Sequence, residues 1–153
     1  MFKRILIPVL LLFFSSCGYE AIHSKKNFRN YDFSISKLTF TGDRKVNIKV
    51  KERLSYYTLN EKDKNFALKI SSDKEKVVLA KDIAGDPTSF KLTIKINVEI
   101  VMNNNLKNKF NIVESFNYNN TANKFDLQQY EGEIINNLAE TAAEKVIYKI
   151  SNI

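Results

Sequence analysis

Residues 44–59 read RKVNIKVKERLSYYTL, and two periods compete for them. Val46, Ile48 and Val50 alternate and are β-branched, the pattern of a half-buried strand. Val46, Val50, Leu54 and Tyr57 recur at spacings of four, four and three, the stripe of an amphipathic helix. Asp43 precedes them as a fair N-cap, its carboxylate able to accept from the first free backbone N–H groups. Periodicity alone leaves strand and helix level. The flanking segments are easier to read, so the architecture turns on this one.

On the N-terminal side, Tyr31–Thr41 (YDFSISKLTFT) is a strand candidate closed by Gly42-Asp43. Phe33 and Ile35 share one face and Leu38 and Phe40 the other, a change of phase that calls for a bulge or twist. On the C-terminal side, Asn65–Ile83 (NFALKISSDKEKVVLAKDI) reads as extended, with Phe66, Leu68 and Ile70 in phase. The polar Ser71–Lys76 is either a solvated continuation or a short turn before Val77-Val78-Leu79. Gly85-Asp86-Pro87 marks a loop.

The clearest strand follows. Phe90, Leu92, Ile94, Ile96, Val98, Ile100 and Met102 occupy every even position, opposite Lys91, Thr93, Lys95, Asn97 and Glu99. That is an antiparallel strand with one face in the core and one in water. Asn103-Asn104-Asn105 turns the chain, and Phe110, Ile112, Phe116 and Tyr118 repeat the pattern with Glu114 as the polar exception. Asp126–Ile150 is a long helix capped by Asn123 or Asp126. Leu127, Tyr130, Ile134, Leu138, Ala142, Val146 and Ile150 form one ridge, and Ile135, Ala139, Ala143 and Ile147 the next. Gly132 within it costs about 1 kcal/mol relative to alanine.

The start of the chain has a different character. Met1-Phe2-Lys3-Arg4 is positively charged, Ile5–Phe14 (ILIPVLLLFF) is unbroken apolar sequence, and Ser15-Ser16 are small. Together these predict a secretory signal. Ten helical residues rise only about 15 Å against roughly 30 Å of hydrocarbon, and Pro8 interrupts them, so a membrane span is disfavoured. Cys17, the one cysteine among 153 residues, follows directly. FFSSC resembles the bacterial lipobox, although Phe14 stands where leucine is usual. That resemblance implies cleavage between Ser16 and Cys17, with diacylglycerol and acyl groups on Cys17 as the only cofactor-like groups expected. Two or three acyl chains hold a membrane far better than one, at about 0.8 kcal/mol per buried methylene. Gly18 stands where aspartate would signal inner-membrane retention, so the expected address is the outer membrane, periplasmic face, by lipid anchor.

These readings divide the chain into a signal peptide at 1–16, a polar tether at 17–30 and one domain at 31–153. Lipidation of Cys17 leaves no thiol for a disulfide. The full chain carries 24 basic and 17 acidic residues; without Lys3 and Arg4 the balance is +5. A basic surface at the outer membrane meets phosphorylated head groups first. Nucleic acid is discarded as a partner, because lysines and acids alternate along solvated strand faces and export removes the chain from it.

Catalysis finds little support. His23, the single histidine, lies in the tether, there is no Gly-x-Ser-x-Gly elbow, and no His/Cys group has metal-ligand spacing. The expectation is a non-enzymatic protein without a metal.

Three stretches then carry a resemblance. Cys17-Gly18-Tyr19 opens the mature chain, VNIKVKERL spans residues 46–54, and FNYNNTANKFDLQQYEGEIINNLAETAA spans 116–143. Together, behind a lipobox, they resemble the LPS-assembly lipoprotein family, LptE, over essentially the whole chain. Glu20-Ala21-Ile22-His23 departs from the Pro-Leu-Tyr continuation frequent there. The resemblance reads 44–59 as helix. The expected fold is then α+β, a two-layer sandwich: a four-stranded, mostly antiparallel sheet with two helices on one face, in the order β-α-β-β-β-α.

It also implies a function: an outer-membrane lipoprotein that plugs and helps assemble the LptD-type β-barrel for lipopolysaccharide transport and insertion. The partners implied are that barrel, lipopolysaccharide and the membrane itself. Lys81 and Lys91, flanking the Ala84–Ser89 loop, and Lys95 beyond them are the candidate contacts for lipopolysaccharide phosphates, as point charges. An ordinary solvated strand face is the competing account of these lysines. The alternative function is a generic lipid-anchored binding module, or an accessory subunit of the outer-membrane protein assembly machinery.

Overall fold

A computed structural model describes residues 31–103 and 105–153. The elements are β1 (Ser34–Gly42), α1 (Arg44–Leu54) with a 3-10 turn (Ser55–Thr58), β2 (Asn65–Lys81), β3 (Pro87–Met102), β4 (Asn105–Asn119) and α2 (Lys124–Ser151). The expected order of elements and the α+β class are both present. The four strands lie in chain order, β1-β2-β3-β4. β1 and β2 are parallel, and the other two pairs are antiparallel, so the sheet is mixed. A parallel neighbour is out of reach of a tight hairpin and requires a crossover. The helix at residues 44–54 supplies it.

Burial decides between the two periods. Val46, Val50 and Leu54 are 0% exposed and Tyr57 6%, whereas Ile48 is 47% exposed. Only the helical stripe reaches the core. Asp43 caps the helix, its carboxylate accepting from the N–H of Lys45 (2.9 Å) and Val46 (3.0 Å). Lys51 and Arg53 lie in the last turn, where cations suit the helix dipole. Arg53 also pairs with Glu140 and Glu144 of α2, tying the helices together. Beyond it the Tyr57 ring stacks on Phe33 at 4.9 Å.

The phase change in β1 is a bulge. Ile35 pairs with Phe66, but Lys37 pairs with Ala67, so Ser36 is the extra residue. Leu38 and Phe40 therefore do not lie opposite Ile35, as strict alternation implies. The extra residue returns them to its face, beside Leu68 and Ile70, where both pack half-buried on the core.

β2 is continuous, so Ser71–Lys76 is strand and not a turn. The following loop is shorter than Ala84–Ser89, because β3 already begins at Pro87. Asp82 closes it, its carboxylate accepting the N–H of Asp86 at 2.9 Å. β3 is the spine of the core: Ile94, Ile96, Val98 and Ile100 are fully buried. In β4, Ile112 and Tyr118 are buried, but Phe116 is 45% exposed, as an edge strand allows. Glu114 faces α2 and is bonded to Lys145.

α2 starts at Lys124, capped by Asn123, which accepts from the N–H of Phe125 and Asp126. Both predicted ridges face the core except Tyr130, which is 42% exposed and meets the Tyr118 ring edge-on. Ala139, Ala142 and Ala143 are fully buried. Small side chains on that face let α1 approach closely, so the two helices form one layer.

The link from β1 to α1 is tight. Gly42 has φ +93°, and a Cβ there would lie 1.8 Å from the Ser72 carbonyl oxygen. Gly85 has φ +89° with open space around it. Gly42→Ala is therefore expected to lower stability by about 3 kcal/mol or more, through both strain and collision with backbone. Gly85→Ala, with strain alone, should lose about 1–2 kcal/mol. Denaturant unfolding of the two variants measures the difference, and equal losses would contradict the packing at Ser72.

Candidate contact surface

Both helices cover one side of the sheet, which leaves the other side open. On it stand the odd positions of β3 with their register neighbours. Glu99 lies between Lys69 and Lys109, Lys95 between Asp73 and Val113, and Lys91 between Val77 and Asn117. The surface is polar, and two of its lysines are answered by glutamates. Lys109 donates to Glu99 at 2.9 Å and Lys95 to Glu75 at 3.1 Å. The hydrogen bond and charge of Lys109 hold the Glu99 carboxyl below its ordinary value. A shallow depression of about 550 Å³ is lined here by Thr39, Thr41, Lys69, Ser71, Asn97, Glu99 and Lys109.

Lys81, Lys91 and Lys95 fall in phase on the open side, because the β2–β3 register puts Lys81 opposite Pro87. They are strung along the hairpin and do not form a cluster; Lys91 and Lys95 are roughly 13 Å apart at about 3.3 Å per residue. Lys95 already holds Glu75, and Lys81 is followed by Asp82 in the turn. Lys91 is half-buried and, among the described residues, has no ion pair. Sequence reasoning missed Lys69, Lys109 and the two threonines of β1. The alternation in β3 marks Glu99 as wet, but its cross-strand neighbours depend on register, which no local pattern reveals. Cys17, Ser16 and His23 lie outside the described residues.

A second polar group sits on the helix side. Lys76 lies 4.0 Å from the centre of the Phe90 ring and bonds Glu131 of α2 at 2.5 Å. The Tyr118 hydroxyl donates to the same carboxylate at 2.7 Å. Burial alone would raise the Glu131 pKa, but the bonds from Lys76 and Tyr118 outweigh it and leave it lowered. Burial, then Glu131, raises that of Tyr118. At Asp43, burial is likewise outweighed, by the Val46 N–H and Lys74, which approaches to 3.1 Å. These groups are mutually satisfied, so they fasten α1 and α2 to β2 and offer little to a ligand. Among the described residues no group of three His, Cys, Asp or Glu side chains is placed to hold a metal. No described helix is long and apolar enough to cross a membrane.

No protein-family model and no curated protein matches the sequence. Solved structures do match. Rare lipoprotein B from Shewanella oneidensis superposes with a TM-score of 0.60 at 12% identity, covering 76% of this chain and 94% of that one. The chain has the fold of this lipoprotein. A minor lipoprotein from Acinetobacter baumannii follows it with a TM-score of 0.55 at 14% identity, covering 76% of this chain and 91% of its own. A lipoprotein B from Nitrosomonas europaea gives 0.54 at 12% identity, with 75% and 81% covered. At such identities the likeness is one of fold.

The lowered carboxylates of Asp43 and Glu131 fix the sign of a pH effect. Each contributes stability that is complete above its ordinary value, 3.8 or 4.5, and that is lost as pH falls through the lower folded value. Glu131→Gln should cost about 1–2 kcal/mol at neutral pH by weakening two hydrogen bonds, one of them to a cation. The gap from the unsubstituted chain should narrow as pH is lowered below about 4. Denaturant midpoints of both proteins across that range measure it; a gap that widens in acid would contradict the assignment.

Proposed function

We propose that this chain is a lipid-anchored, non-enzymatic protein of the outer membrane's periplasmic face, which occupies the lumen of an LptD-type barrel and serves lipopolysaccharide insertion. The observation that carries the reading is the shared fold with rare lipoprotein B and the other lipoproteins over most of their length. The FFSSC sequence supplies the anchor at Cys17, and the resemblance of residues 46–54 and 116–143 to the LptE family supplies the partner.

The geometry supports the role in a specific way. A wide barrel encloses a polar lumen, so a plug needs a wet, hydrogen-bonding exterior. The open sheet face is of that kind, with Thr39, Thr41, Asn97 and the answered Lys–Glu pairs. The stretches that carry the family resemblance also have structural tasks: Arg53 joins the helices, and Tyr118 and Asn120 hold the end of β4 to Glu131 and Pro87. In this reading lipopolysaccharide phosphates meet Lys81, Lys91 and Lys95 on the hairpin, of which only Lys95 has an ion pair among the described residues.

Two measurements test this. Full-length protein extracted from membranes should recover a stoichiometric lipopolysaccharide-translocon barrel on pull-down; recovery of the assembly machinery's barrel instead would favour the accessory-subunit alternative. Replacing Lys81, Lys91 and Lys95 together by Glu should weaken binding to lipopolysaccharide by about tenfold, or 1.4 kcal/mol, with the unfolding midpoint unchanged. Unaltered binding by a folded triple variant would remove the lysines from the contact.

A further inference from the structure

β2 is much longer than its parallel neighbour. The β1 ladder ends at Gly42–Ser72, while β2 runs on to Lys81 paired with β3 alone. Among the described residues, the stretch Asp73–Lys81 therefore has one free edge. An unpaired edge is a template for another strand, and proteins ordinarily blunt it with lysines or bulges. This one carries Lys74, Lys76 and Lys81, yet at its centre Val77, Val78 and Leu79 are 44%, 39% and 49% exposed. The irregularity at Leu79–Ala80 is local, because Val78–Phe90 and Lys81–Pro87 keep the same register with β3.

We propose that this edge pairs with the same edge of a second copy, antiparallel and centred on Val78, to join two sheets across a two-fold axis. Residues 74–82 read KEKVVLAKD. Set against themselves in that register, Lys74 faces Asp82, Glu75 faces Lys81, Lys76 faces Ala80, Val77 faces Leu79 and Val78 faces Val78. Within β2, Glu75 then meets Lys81, Lys76 meets an alanine and the apolar residues meet one another, while Lys74 and Asp73 reach Asp82 and Ile83 in the turn. Moving the axis to Lys76 sets two lysines directly opposed, a destabilising pair. Moving it to Val77 keeps only the Asp73–Lys81 match among the charges and sets Glu75 against Leu79. Charge complementarity thus selects both the occupant and the register. The same lysines that repel an arbitrary strand admit this one. The ladder is short, so the association is reversible, and confinement of anchored copies to one membrane surface raises their effective concentration. The pairing is a property of the β2 edge and is independent of any barrel.

The test is disulfide trapping in the full-length, detergent-extracted protein. Cα atoms directly opposed across an antiparallel pair are about 4.5–5.5 Å apart, within disulfide reach. Val78→Cys should give a covalent dimer under mild oxidation. The unsubstituted chain, which contains Cys17, and Val113→Cys on the exposed part of β4 should stay monomeric. Adding Lys81→Glu, which opposes Glu75 to a like charge, should reduce the Val78→Cys dimer about tenfold, and adding Glu75→Lys as well should restore it. The proposal is overturned by a folded Val78→Cys protein that stays monomeric, by linkage to a different protein, by equal dimer at residue 113, or by a charge reversal without effect.

Discussion

The structure depends on how β1 leaves the sheet. At Gly42 the backbone adopts φ +93° and passes so close to Ser72 that any side chain would collide with its carbonyl oxygen. The Asp43 N–H donates to that oxygen at 3.1 Å, and the Ser72 hydroxyl lies within hydrogen-bonding distance of both the Asp43 carbonyl and the Asn47 side chain. One residue later Asp43 caps α1. Strand end, turn and helix start are thus a single hydrogen-bonded unit. It aims α1 back across the sheet, lets β2 pair parallel to β1, and ends β1 halfway along β2. The free edge of β2 is a consequence of the same turn.

Beyond that turn α1 no longer covers the sheet, and a different kind of contact takes over. The apolar stripe of α1 ends in Tyr57 and Phe33 near the start of β1. At the far end the helix side of β2 presents Lys74 and Lys76, which only an acid on a neighbouring element can satisfy. Asp43 and Glu131 do so, and Tyr118 completes the second group. Leaving a partly buried carboxylate without these donors would be destabilising, because burial alone opposes its charge. Polar pairing therefore continues the fastening where the hydrophobic layer thins.

How much of this was legible follows from which signals are local. The alternation of Phe90–Met102 and the two ridges of α2 are each complete within one element, and both reappear as buried residues. Asp43 as a cap is equally local. The segment 44–59 was not decidable from its period, because Val46 and Val50 satisfy both patterns; what decides it is that Ile48 has nowhere to be buried. The bulge at Ser36 was visible as a break of phase, but its effect, bringing Leu38 and Phe40 onto the face of Ile35, follows from pairing with β2. Phe116 and Tyr130 fit their stripes and yet are half-exposed, since periodicity marks a face and is blind to where the covering layer stops. That Lys81, Lys91 and Lys95 share one face of the hairpin follows from the β2–β3 register. The neutralisation of Lys95 by Glu75 is a cross-strand property, and the open-face depression depends on register entirely.

That neutralisation bears on how the surface works. A phosphate clamp concentrates unanswered cations in one place, whereas this face distributes them and pairs Lys95 and Lys109 with glutamates on adjacent strands. Exposed pairs of this kind are worth little to stability, about 0–1 kcal/mol each. They keep the sheet wet and polar and answer part of its positive charge, which suits broad contact with a polar wall better than capture of an anion. A barrel interior asks for the former along the whole open face, on which Lys81 and Lys91 have no ion pair among the described residues. In the proposed role, then, the fit to the barrel rests on breadth of hydrogen bonding, while contact with lipopolysaccharide rests on the short hairpin arm. Both contacts would share the open face, so a substitution at the hairpin lysines would bear on either of them.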